Sequence, residues 1–86
     1  MNKMNKMNIQ ETTKYLEEII DVRIDSFFNE DWEIEDNLHK HTTNLLQKQS
    51  LLDLLVIKTT TDSIVLKCEV EEEIKRRVEL ARKNND

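Results

Sequence analysis

Three groups of side chains carry whatever chemistry this chain could attempt. His39-Lys40-His41 sets two imidazoles two residues apart. On a helix such positions point about 200° apart and cannot share a metal, although in an extended segment they could. His39 is expected to be exposed and His41 to lie at the edge of the core. Cys68 is the only cysteine. It falls in one apolar register with Ile64, Leu66 and Val70 and has no activating neighbour, so a buried structural thiol is expected. The third group is EDWEIED, residues 30 to 36, in which Glu30, Asp31, Glu33, Glu35 and Asp36 surround Trp32 and Ile34. The spacing and glycine of a calcium-binding EF-hand loop are missing. A carboxylate cluster alone does not define an acid–base pair. The sequence therefore predicts no catalytic residue, no metal and no cofactor, and a protein that is not an enzyme.

What remains for EDWEIED is contact with a partner. Trp32 is the only tryptophan in the chain. Either it packs with Ile34 onto the preceding helix beside Phe27 and Phe28 while the acids face water, or it stays partly exposed as an aromatic anchor in a charged rim. Binding hot spots favour tryptophan, and a carboxylate rim steers basic partners. Glu30, Asp31, Trp32, Glu33, Ile34, Glu35 and Asp36 are thus the candidate partner-binding residues.

The charge layout supports this assignment. Residues 17–36 hold nine acids and one base, Arg23, while residues 37–86 carry a net charge of +1 and residues 1–16 of +2, within a total of −5. A localised acidic patch argues against nucleic acid and for a protein partner with a neutral or basic surface. Glycine and proline are both absent. That excludes the glycine-rich phosphate loops of Walker and Rossmann type. It also disfavours tight primed hairpin turns and leaves turns to Asn, Asp, Ser and Thr.

Eighty-six residues form one domain. A chain of this size buries roughly 60–65% of its unfolded surface, so self-association into a homodimer is a natural source of extra stability. The lone cysteine suits a reducing, cytoplasmic setting. The longest apolar run, Leu54-Leu55-Val56-Ile57, is four residues, far short of the ~18 a membrane span needs. MNKMNKMN, residues 1–8, is a polar three-residue repeat expected as a disordered tail before a domain spanning 9–86.

The elements that must position these groups follow from periodicity. Leu16, Ile20, Ile24, Phe27 and Phe28 predict a helix from Ile9 to Asn29, capped by Asn8 with Glu11 in its first turn. Asp36 or Asn37 then reads as the cap of a second helix, Leu38 to about Leu52. Residues 54–60 are β-prone, and Ile64, Leu66, Cys68 and Val70 alternate with Val65, Lys67 and Glu69. Together they predict a β-hairpin, 54–60 with 64–70, turned at Thr61-Asp62-Ser63. A final helix, Glu71–Asn84, carries a stripe of Val70, Ile74, Val78 and Ala81, with acids at its start and bases at its end. The expected fold is α+β, three helices with a central hairpin at about 54–70, as a dimer. The alternative is an all-α three-helix bundle, with a long second helix, a threonine loop and a third helix from Ser63 onward.

Ser63–Asn84, SIVLKCEVEEEIKRRVELARKN, resembles the strand and first helix of ribbon-helix-helix DNA-binding proteins over about a quarter of the chain. That resemblance implies a dimeric DNA-binding regulator with Val65, Lys67 and Glu69 toward DNA. It departs from the family in having no room before Asp86 for the second helix, and Glu69 is unfavourable beside phosphate. In style, compact, acidic, glycine-free chains resemble accessory proteins of large lytic bacteriophages that modulate host transcription, defence or lysis timing. The leading expectation is a small acidic interaction or regulatory protein that binds and modulates a macromolecular partner.

Overall fold

Asn8 accepts a hydrogen bond at 2.8 Å from the Glu11 amide, and Glu11 accepts one at 3.2 Å from the Asn8 amide. This reciprocal pair is a capping box, and it starts the first of four helices. In the computed structural model, which describes residues 8–84, the elements are α1 (Ile9–Phe28), α2 (Trp32–Gln47), α3 (Leu51–Thr60) and α4 (Ile64–Asn84). The expected tail, 1–8, lies outside the described residues except for Asn8.

The fold is all-helical. Among the described residues there is no strand, so the α+β hairpin at 54–70 is replaced by α3, a short turn and the first two turns of α4. The burial pattern gives the reason. Leu54, Ile57, Leu66 and Val70 are sealed, while Ile64 and Cys68 are exposed. Steps of three and four therefore decide the packing, and the alternation of two does not. The same finding overturns Cys68 as a buried thiol. It also removes the strand on which the ribbon-helix-helix resemblance depends.

Threonines that favour strands are satisfied inside these helices. The hydroxyl of Thr60 donates to Val56 O at 2.8 Å, Thr42 to Leu38 O at 2.8 Å and Thr13 to Ile9 O at 2.8 Å. This back-bonding keeps Thr42 hydrogen-bonded although it is completely buried.

The all-helical alternative also needs correction, from three helices to four. The second helix starts six residues earlier than Leu38 and ends at Gln47, so Asp36 and Asn37 are interior positions and not caps. Ser50 then caps α3 by accepting from the Asp53 amide at 3.1 Å. Ser63 begins α4 in the same way, accepting from the Leu66 amide at 3.2 Å.

The core is Leu16 and Ile20 of α1, Leu46 of α2, Leu54 and Ile57 of α3, and Leu66 and Val70 of α4. Every helix contributes a residue to it. The α1 stripe reaches this core only through its first half. Ile24, Phe27 and Phe28, expected as core, are exposed.

Candidate functional site

The exposed end of α1 and the start of α2 form one corner. Asn29, Glu30 and Asp31 join them. The Glu30 amide donates to Phe27 O at 3.1 Å and the Asp31 amide to Ser26 O at 2.8 Å. These two bonds make a Schellman motif, whose reversing residue takes positive φ and is usually glycine. In this chain Glu30 occupies it, with φ of 58°.

The turn brings Trp32 back against Phe27. Their rings stand edge to face with centroids 5.4 Å apart, and Phe28 meets Phe27 in the same way at 6.0 Å. Edge-to-face contact suits the ring quadrupoles, yet it does not hide the cluster. Phe27 is 56% exposed, Phe28 77% and Trp32 53%. Trp32 thus both touches the first helix and faces water.

Glu30, Asp31, Glu33 and Asp36 are exposed around this cluster, as is Ile34, while Glu35 is half-buried. Glu33 and Glu35 lie in the first turn of α2, where a carboxylate is stabilised by the helix dipole. That local benefit is one reason the acids precede the helix. From Asp25 to Asp36 the chain holds six acids and no lysine or arginine.

Beside the aromatic cluster lies a hollow of about 140 Å³, lined by Ile20, Ile24, Phe27 and Val65 together with Arg23 and Glu35. A cavity of that size takes one ring or one leucine-sized side chain. Arg23 holds its polar side. The guanidinium donates to Glu35 at 3.3 Å, to Glu69 at 2.9 Å and to His39 Nδ1 at 2.7 Å. One side chain from α1 thereby ties α2 and α4 together, and Glu35 is half structural. Sequence reasoning missed Arg23. The available signal was its isolation as the single base in residues 17–36.

The two histidines diverge, as helical spacing requires. His39 meets Arg23, while His41 Nε2 lies 3.1 Å from the Tyr15 hydroxyl on the other side of α2. Among the described residues no group of three or more His, Cys, Asp or Glu side chains is placed to hold a metal ion.

A second polar cluster sits at the far end of α2. Glu73 is buried, at 6% exposure. Arg76 grips it with two hydrogen bonds, at 3.0 and 2.7 Å, and Arg77 adds a third at 2.7 Å. The hydrogen bonding from Arg76, aided by that from Arg77 and by both positive charges, holds the Glu73 carboxyl below its ordinary range against the opposing effect of burial. Glu73 in turn raises Arg76 above its usual value. The other end of the Arg77 guanidinium donates to Leu46 O and Gln47 O, each at 3.1 Å. Arg77 therefore caps the C-terminus of α2 from α4.

Comparison with family models, with curated proteins and with solved structures finds no match to this chain. No helix among the described residues is long and apolar enough to cross a membrane.

Proposed function

We propose that this chain is a binding module that modulates a protein partner through the corner formed by Phe27, Phe28, Trp32 and Ile34. The observation that supports this is a contiguous aromatic cluster, more than half exposed, beside Glu30, Asp31 and Glu33, which are exposed and make no ion pair among the described residues, while Arg23 holds Glu35 and Lys40 holds Asp36. Burying aromatic rings supplies affinity, and surrounding charge supplies orientation and on-rate. The matching partner surface is apolar at its centre and basic at its edge, such as a basic amphipathic helix. Its action is occlusion of that surface or bias of its conformation.

Trp32 is also the natural reporter, being the only tryptophan. The test uses native chain, Trp32→Ala and Glu33→Lys as baits, with helicity by circular dichroism as the fold control. A protein retained by native bait and lost by both folded variants, and which in purified form shifts Trp32 emission to the blue, is the expected result. Equal capture by all three baits, or emission unmoved by the captured protein, overturns the proposal.

A further inference from the structure

The end of the molecule opposite the Trp32 corner has the complementary chemistry. The face of α4 that packs inward runs through Leu66, Val70, Glu73 and Arg77, at steps of four, three and four. Arg77 sits at the C-terminal carbonyls of α2, where that helix ends. The same face continues through Leu80 and Ala81, and every residue from Val78 to Asn84 is exposed. Seven residues extend about 10 Å at the helical rise.

On this projecting segment Leu80 and Ala81 prolong the inward face, while Val78 stands about 200° from Leu80, on the side that carries Arg82. Val78 is 51% exposed and Leu80 46%. Apart from Arg76 and Arg77, which bind Glu73, the stretch from Lys75 to Lys83 holds three bases, Lys75, Arg82 and Lys83, against one acid, Glu79. Among the described residues Lys75, Arg82 and Lys83 make no ion pair. The corner at the other end carries six acids between Asp25 and Asp36 and a hollow sized for one side chain.

We infer that a second copy of this chain docks the end of its α4, through the side that carries Val78, Arg82 and Lys83, onto the acidic Trp32 corner. The inference rests on the binding role proposed for that corner and names its occupant. Such a contact is head-to-tail, joining two different surfaces, and the pair keeps one of each free. It therefore builds rings or open chains and not a closed symmetric pair. A basic helix end set against carboxylates brings opposite charges together although the whole chain is at −5, so the contact weakens with salt.

The test is sedimentation of the native chain from about 1 µM to about 1 mM, a range that spans transient affinities, at low and high salt. Two variants accompany it. Trp32→Ala, or Glu33→Lys if the first fails to fold, removes the corner. The double change Arg82→Glu with Lys83→Glu removes the tail at exposed positions. Native protein is expected to grow beyond monomer mass with concentration, and each variant alone to weaken assembly at least tenfold. Mixing the two variants restores a single contact, so the mixture stops at a 1:1 dimer. A native chain that stays monomeric throughout overturns the inference. So does a mixture that fails to form the dimer. Should the native chain stay monomeric while Trp32→Ala still loses a captured partner, the self-docking inference fails alone and the binding role of the corner stands. Should it assemble while capture is indifferent to Trp32, the corner serves self-association only.

Discussion

Among the described residues Arg77 is the side chain of α4 that hydrogen-bonds α2, and replacing it measures how much that link matters. In Arg77→Met the aliphatic stem is kept and the guanidinium is lost. Three hydrogen bonds go with it, at 2.7 Å to Glu73 and at 3.1 Å to Leu46 O and Gln47 O. Hydrogen bonds to charged groups are worth about 1.5–3 kcal/mol each in mutational series. A cation at a helix C-terminus adds about 0.3–1 kcal/mol. Ordering the arginine costs up to about 2 kcal/mol, and the Gln47 carbonyl, whose bond is exposed, regains water. The net loss is about 2–3 kcal/mol.

That is a large share of the total for a chain this small, about 4–13 kcal/mol at typical per-residue stability. It corresponds to a fall in Tm of about 10–20 °C. The assay is urea unfolding followed by helical circular dichroism, with Arg82→Met as the control at an exposed position and Arg77→Lys as the conservative change. Lysine keeps the charge but not the fork, so it should recover only part of the loss. If Arg77→Met proves no more destabilising than Arg82→Met, the link between α2 and α4 is not what orders this end of the molecule, and the reasoning is refuted.

Two further outcomes are expected. Glu30 at φ of 58° occupies a conformation that costs a non-glycine residue about 1–2 kcal/mol, so Glu30→Gly, the first glycine in the chain, should raise stability by about 0.5–1 kcal/mol after the entropy of the freer unfolded chain, read as a rise in Tm of a few degrees. Because Glu73 is held below its ordinary range in the fold, its contribution is complete above its unfolded value of about 4.3 and is lost as pH falls through the lower folded value. Native protein should therefore lose stability on acidification more steeply than Glu73→Gln, by up to about 1.4 kcal/mol per pH unit in that window, and parallel acid limbs for the two proteins would show that Glu73 does not titrate there.

The legible parts of this fold are those where local chemistry and packing agree. Asn8 announces the start of α1 and caps it as expected, with Glu11 in the first turn; the structure adds the return bond from the Asn8 amide to Glu11. The turn at Thr61-Asp62-Ser63 is visible from its residue types, and the Ser63 amide donates to the Thr61 hydroxyl at 3.1 Å within it. The hairpin is where local preference misleads. Val56, Ile57, Thr59 and Thr60 favour strands, but a strand needs a sheet, and the other helices here offer a helix-shaped groove. Once Leu54 and Ile57 bury together and the threonine hydroxyls reach carbonyls three and four residues back, strand propensity no longer decides the outcome.

The acidic stretch fails to read as a helix start for a related reason. A period of two at Trp32-Glu33-Ile34-Glu35 mimics an edge strand, while the carboxylates that suggest a solvated loop are stabilised by the dipole of the helix they begin. The same misreading bears on the site. Viewed as a stripe, Ile24, Phe27 and Phe28 belong to the core, and a protein with no partner would gain by covering them. The four helices cover Leu16 and Ile20 instead and leave α1's last two turns open, beside Trp32. Arg23 holds Glu35 and Lys40 pairs with Asp36, while Glu30, Asp31 and Glu33 stay exposed beside these rings. The proposed assembly would cover the rings left exposed at this end of the molecule and set the basic end of α4 against its carboxylates.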